Sequence, residues 1–116
     1  MKILVIDDDI FMVKYLSHFL RNEAYEVITA SRPEKGLELM KQCDPDLIIS
    51  DIMMEDISGL ELLNIINAED RKVPVILMSS FNVSEIRNAA RNLGAEYLAK
   101  PIEQGLLMET VKKCIA

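Results

Sequence analysis

Cysteine is scarce in this chain, with Cys43 and Cys114 the only two, far apart. They form neither a metal-ligand spacing nor a disulfide framework, so reduced thiols in the cytoplasm are the expectation. No apolar run is long enough to span a bilayer, and the N-terminal run Ile3-Leu4-Val5-Ile6 is too short for a secretory signal. Basic residues are the minority: 13 Lys and Arg stand against 19 Asp and Glu, a net charge of -6 with a pI near 4.8. A phosphate backbone would be repelled, which argues against direct nucleic-acid binding by this domain. Histidine occurs once. His18 is expected on the outer side of the first helix as a surface residue, not as a donor or ligand. There is no repeat, low-complexity tract or linker. The 116 residues, half of them hydrophobic, suit one compact domain over 1–116 with a real core. The last helix closes the chain, so no effector domain is expected within it.

What the chain does have is negative charge concentrated in one place. Asp7, Asp8 and Asp9 stand directly behind Ile3-Leu4-Val5-Ile6. Carboxylates crowded at the end of a buried strand repel one another, and a cation relieves that repulsion. Oxygen donors of this kind suit a hard divalent ion.

Short apolar runs alternate with amphipathic segments along the chain. The runs Ile3 to Ile6, Glu26 to Ala30, Leu47 to Ser50, Val75 to Met78 and Glu96 to Ala99 read as strands; those without period-two alternation suit burial on both faces. The first helix covers Ile10 to Asn22, with Met12, Tyr15, Leu16, Phe19 and Leu20 on its apolar face. The second opens around Ser31, Pro33 and Glu34, and the third at Ser58-Gly59-Leu60-Glu61, both with capping-box spacing. The fourth runs from Ser84 to Leu93 and stops at Gly94. The fifth spans Glu103 to Ile115. Five strands alternating with five helices give an α/β, doubly wound parallel sheet covered on both faces.

In such sheets ligands bind outside the carboxyl ends of the strands. Those ends carry Asp7 and Asp8, then Asp51, then Ser79 and Ser80, then Lys100-Pro101. Mg²⁺ takes one or two protein carboxylates and leaves positions for water and phosphate oxygens. An Asp carboxylate can attack phosphorus to give an aspartyl phosphate, and a hydroxyl and an ammonium can hold the remaining phosphoryl oxygens.

These residues resemble the receiver domain of bacterial two-component response regulators, over essentially the whole chain. The resemblance rests on Asp7-Asp8 after the first run, on Asp51 closing Asp46-Leu47-Ile48-Ile49-Ser50, and on Met54 and Gly59. It extends to Pro74-Val75-Ile76-Leu77-Met78-Ser79 and to Tyr97-Leu98-Ala99-Lys100-Pro101. It implies a flavodoxin-like (βα)5 sandwich with strand order 2-1-3-4-5. It also implies that Asp51 is the phosphoacceptor, and that Asp7, Asp8, Asp51 and the backbone carbonyl of Met53 bind Mg²⁺ or Mn²⁺. Ser79 and Lys100 would contact the phosphoryl group, Tyr97 would turn inward as the switch aromatic, and Lys100-Pro101 would be a cis peptide. The partner would be a histidine kinase or histidine phosphotransfer domain. The face of the fourth helix, fifth strand and fifth helix would carry output and could form a homodimer. The sequence departs from the family pattern at Glu55, where Pro is common, and at Ser80, where Ala or another small residue is frequent. The segment before Tyr97 is also one residue shorter than usual.

Ile10 lies roughly 150° from the centre of the first helix's apolar stripe at ~100° per residue, with Phe11 at its edge. Both adjoin the acid cluster and are expected to dock the phosphodonor. By the same resemblance Met53 and Phe81 would flank the phosphoryl position, and since both are apolar the expectation is slow self-dephosphorylation. The expectation is thus a phosphoacceptor and not an enzyme. Two other readings stay open: a receiver-like interaction module that is never phosphorylated, and a metal-dependent aspartyl-phosphate hydrolase. The hydrolase would ordinarily need an acid where Met53 stands.

Overall fold

A computed structural model describes residues 1–54, 57–81 and 84–115. Glu55 lies outside the described residues. The order is β1 (Lys2–Ile6), α1 (Ile10–Asn22), β2 (Glu26–Ala30), α2 (Pro33–Cys43), β3 (Leu47–Asp51), α3 (Gly59–Asn67), β4 (Val75–Ser79), α4 (Ser84–Asn92), β5 (Glu96–Ala99) and α5 (Gln104–Ile115). The strands form one sheet in the order β2-β1-β3-β4-β5, every pairing parallel. This is the expected doubly wound arrangement.

Period-two alternation divides the apolar runs between two cores. Leu4, Ile6, Ile48 and Leu77 face one side, where they meet Met40 of α2, Leu62 and Leu63 of α3 and Ala90 of α4. Ile3, Val5, Ile49, Ile76 and Met78 face the other, against Leu16 and Leu20 of α1 and Leu107 and Val111 of α5. The central strands are therefore apolar at nearly every position. Both β3 and β4 are buried along their whole length, whereas edge strand β2 is mostly not. Leu16 and Leu20 are fully buried; truncating either to Ala should cost about 2–5 kcal/mol.

Helix ends explain where the rim residues emerge. Asp9 caps α1, its carboxylate accepting the N–H groups of Phe11 and Met12. This fixes the chain direction just after Asp7 and Asp8. Ser58 caps α3 by accepting the Glu61 N–H at 3.2 Å, as its spacing predicts. The second helix departs from expectation. Pro33 holds the first helical position, which makes Arg32 the cap residue, without a side-chain cap bond. Ser31 then stands one place before the cap, so its three-residue spacing to Glu34 closes no capping box. Helices α1 and α4 both end in the same double turn. Ala24 and Tyr25 donate to Arg21 and Leu20, and Gly94 and Ala95 donate to Arg91 and Ala90.

Candidate functional site

The acidic rim forms because β1 and β3 are hydrogen-bonded neighbours that end side by side. Asp7 is the first residue past β1, tied to β2 by its N–H donating to the Ala30 carbonyl at 3.1 Å. Asp51 is the last residue of β3. Asp7 is fully buried, Asp51 nearly so, and Asp8 is exposed. One carboxylate oxygen from each of the three lies within 4.8 Å of the others. Asp9, by contrast, faces its own helix and is no member of this group.

Lys100 neutralises part of the cluster. Its Nζ stands 3.1 Å from Asp7 Oδ2 and 3.3 Å from Asp51 Oδ2, with only 12% of its side chain exposed. Burial pushes the Asp7 carboxyl above the usual carboxylate range, and the charge of Asp51 adds to the effect. The Asp9 N–H, donating to Asp7 Oδ1 at 2.9 Å, and the Lys100 ammonium oppose that rise without cancelling it. For Lys100, burial works to lower the pKa, but the attractions of Asp51 and Asp7 outweigh it and the net shift is upward. Three convergent carboxylates, one of them with its pKa raised by burial, form a donor set fit for a divalent cation.

Strand register places the next group. Asp51 pairs with Met78, so Ser79 lies one step further out on the neighbouring strand. Ser79 pairs in turn with Ala99 of β5, and the Lys100 N–H donates to the Ser79 carbonyl at 2.8 Å. Ser79 therefore sits between the strand carrying Asp51 and the strand carrying Lys100. It is fully buried, and its Oγ accepts the Phe81 N–H at 3.0 Å. The peptide joining Lys100 to Pro101 is cis.

Gly59 closes the floor of the site. A Cβ there would lie 2.7 Å from the Asp51 carbonyl oxygen and from Ile52 Cα, so a side chain would press on the backbone that presents Asp51. The Gly59 N–H donates to the Ile52 carbonyl at 2.7 Å, which needs this close approach.

Tyr97 is already turned inward. It is 8% exposed among the side chains under α3 and α4, and its hydroxyl donates to the Phe81 carbonyl at 2.6 Å. The backbone of Phe81 is thus held at both ends, its N–H by Ser79 and its carbonyl by Tyr97. The resemblance implies an aromatic that turns inward on switching, and nothing in the sequence points to Phe81 as its link to Ser79. A backbone carbonyl acceptor leaves no residue signature.

Around the mouth stand Ile10, Phe11, Met53 and Phe81, exposed at 60%, 79%, 54% and 52%. Ile10 also borders a groove of about 310 Å³ with Asp7, Asp8, Thr29, Ser31 and Lys35. Ser80 is exposed, and His18 lies on the outer side of α1 beside Asn22. Tyr15, read as part of the apolar face of α1, instead donates its hydroxyl to the Ile102 carbonyl at 2.6 Å.

The sequence profile of the response regulator receiver domain matches residues 3–112. The chain is 33% identical over 115 residues to the transcriptional regulatory protein ZraR of Escherichia coli K12, covering 98% of this chain and 26% of that protein. Its fold is similar to the chemotaxis response regulator CheY4 of Vibrio cholerae, with a TM-score of 0.89, 27% identity and 97% of each chain covered. It is also similar to a response regulator receiver domain protein from Clostridium thermocellum, with a TM-score of 0.91, 31% identity, and 98% of this chain and 93% of that one covered. The chain spans a quarter to a half of the length of the curated regulators it matches. Among the described residues, no helix is long and apolar enough to cross a membrane.

Proposed function

This chain belongs to the response regulator receiver domain family of two-component systems, and from that premise we propose that it accepts a phosphoryl group on Asp51 and uses it to signal. The observation that carries the reading is the double contact of Lys100 with Asp7 and Asp51 at the shared end of β1 and β3. Asp8 beside them is exposed, and Asp51 Oδ1 accepts the Met53 N–H at 3.4 Å.

Mg²⁺ or Mn²⁺ would be held by Asp7, Asp8 and Asp51 with the Met53 backbone carbonyl, and when bound it supplies charge neutralisation for incoming phosphoryl oxygens. The remaining chemistry belongs to the chain. An Asp51 carboxylate oxygen attacks phosphorus of a phosphohistidine. The new O–P bond forms as the P–N bond breaks, and the released electron pair returns to the imidazole of the donor. Lys100 Nζ and the Ser79 hydroxyl proton take the phosphoryl oxygens as acceptors. Ser79 Oγ can donate that proton while still accepting the Phe81 N–H, since a hydroxyl does both.

Phosphorylation adds roughly -1.5 to -2 charge. Hydrogen bonds to charged groups contribute about 1.5–3 kcal/mol each, so two approach the ~5.5 kcal/mol that moves a two-state equilibrium from 1:99 to 99:1. Tyr97 already occupies its inward position, so the switch lies in tightening the Ser79–Phe81–Tyr97 chain rather than in swinging the ring. The output face would be α4, β5 and α5, which could also join two copies. The donor is a histidine kinase or phosphotransfer domain, docked over Ile10 and Phe11. The domain acts as a phosphoacceptor without turnover of external substrate. Met53 and Phe81 offer no group to orient an attacking water, which supports a long-lived phosphoryl group.

The test is incubation with Mg²⁺ and acetyl phosphate, followed by intact mass of wild type and Asp51→Asn. A single phosphoryl adduct in wild type alone is expected. Absence of an adduct with every donor tried would sink the reading and favour an unphosphorylated interaction module. Multiple turnover of phosphate esters would favour a hydrolase.

A further inference from the structure

Helix α1 is tied to the loop that carries Lys100. The Tyr15 hydroxyl donates to the Ile102 carbonyl at 2.6 Å across 87 residues of sequence. Ile102 is two residues past Lys100, and its own side chain is 4% exposed in the core formed with Leu16, Leu20 and Leu107. The loop between β5 and α5 is therefore fixed at successive points. The Lys100 N–H is held by the Ser79 carbonyl, Ile102 by the core and by Tyr15, and Glu103 by the N–H groups of Gly105 and Leu106. The Tyr15 ring is itself braced edge-on by Phe19, with centroids 4.9 Å apart. From this geometry we infer that Tyr15 is a positioning residue for Lys100: its hydroxyl sets the backbone from which the ammonium reaches Asp7 and Asp51.

Two features favour a positioning role over simple helix packing. A phenylalanine would fill the same space and keep the contact with Phe19, so packing does not require the hydroxyl. The acceptor is also a backbone carbonyl in the short link between Lys100 and α5, where a small displacement carries directly to Nζ. The long flexible lysine stem has many rotamers, and fixing its base narrows the set that reaches both carboxylates at once. Phe11 lies one helical turn before Tyr15, on the same side of α1. A donor seated over Phe11 would shield Tyr15, which is 38% exposed, from water and strengthen its bond to Ile102.

The inference rests on the receiver reading for its effect on transfer, so two measurements separate them. Tyr15→Phe removes the hydroxyl and keeps the ring. Phosphorylation of Asp51 by acetyl phosphate with Mg²⁺ should slow about three- to tenfold. In a Lys100→Met background the same substitution should produce no further slowing. Independently of phosphorylation, competitive amine methylation read by peptide mass spectrometry should label Lys100 several-fold faster in Tyr15→Phe, with Lys14 and Lys35 unchanged. Unchanged labelling of Lys100, or equal slowing in both backgrounds, would overturn the assignment. If wild type takes no phosphoryl group, the receiver reading fails and the labelling alone decides the role of Tyr15.

Discussion

The Lys100 ammonium lies 3.1 Å from Asp7 Oδ2, and the Asp7 side chain is fully buried. That contact is not enough to make the Asp7 carboxylate comfortable. Burial, reinforced by Asp51, keeps its pKa above 3.8 in the fold. A carboxyl with a raised folded pKa binds its proton more tightly folded than unfolded, so stability falls as pH rises from 3.8 through the folded value. Above that window the ionised Asp7 is a standing cost. Asp7→Asn should therefore raise the metal-free melting temperature at pH 7 by on the order of a few degrees. The gain should vanish below about pH 3.8, where the acid is protonated in both states. Melting curves across that range check the sign; destabilisation at pH 7 would show that the bond to Lys100 outweighs burial.

Removing the cation should act in the opposite direction. Lys100→Met leaves Asp7 and Asp51 facing each other without a cation between them, and breaking a buried pair in this way costs about 3–5 kcal/mol. The pKa of Lys100 is raised by its two acids against the effect of burial. Its contribution is therefore present in full below pH 10.5 and is lost only as pH rises through the higher folded value. Urea unfolding of wild type and variant at pH 7 without metal measures the loss.

A divalent cation should relieve the same strain by binding the folded state alone. At a hundredfold excess over Kd the stabilisation is about 2.7 kcal/mol, or roughly 10 °C in melting temperature for a domain of this size. Asp8→Ala should abolish most of that shift while leaving the metal-free melting temperature close to wild type, because Asp8 is exposed and outside the contact with Lys100. Thermal scans with and without Mg²⁺ decide it, and an equal shift in the variant would remove Asp8 from the metal set.

Much of this was legible beforehand, for a physical reason. A strand buried on both faces must be apolar throughout, so the first polar residue after each run marks the rim. Asp7, Asp51, Ser79 and Lys100 were located in that way. Contacts made to backbone carbonyls were not legible. Tyr15 reaches Ile102 and Tyr97 reaches Phe81, and any residue could supply the acceptor. Pro33 marked the start of α2 correctly, while Ser31 misled as its cap, because Pro33 at the first helical position makes Arg32 the cap residue. Ser17 was also missed. It lies next to Leu16, is 4% exposed, and its hydroxyl has no hydrogen-bond partner among the described residues.

Glu103 offers a separate pH signature away from the acid cluster. Its carboxylate accepts the N–H groups of Gly105 and Leu106 at 2.8 and 2.9 Å, and these bonds hold its pKa below 4.5. A lowered carboxyl stabilises the fold above its unfolded pKa and loses that contribution as pH falls through the folded value. Glu103→Ala should thus lower the melting temperature at pH 7 and have a progressively smaller effect below pH 4.5. A pH-independent loss would point to packing rather than to these two hydrogen bonds.

The two matching helix ends provide the last prediction. α1 and α4 close with the same pair of backbone bonds, yet the left-handed residue is Gly94 in one and Ala24 in the other. Gly94 has φ of 87° and Ala24 has φ of 67°. Only the glycine adopts that region without a Cβ clash, and the alanine is held there at roughly 1 kcal/mol. That is why a glycine marks the end of α4 in the sequence and none marks the end of α1. Ala24→Gly should therefore stabilise the domain by about 0.5–1 kcal/mol, even though glycine also gains freedom in the unfolded chain. Because Ala24 is exposed and follows α1 at the end opposite the acid cluster, phosphorylation of Asp51 should be unaffected. Urea midpoints compared with wild type test this, and a lower midpoint would mean that the unfolded-state entropy of glycine exceeds the strain it relieves.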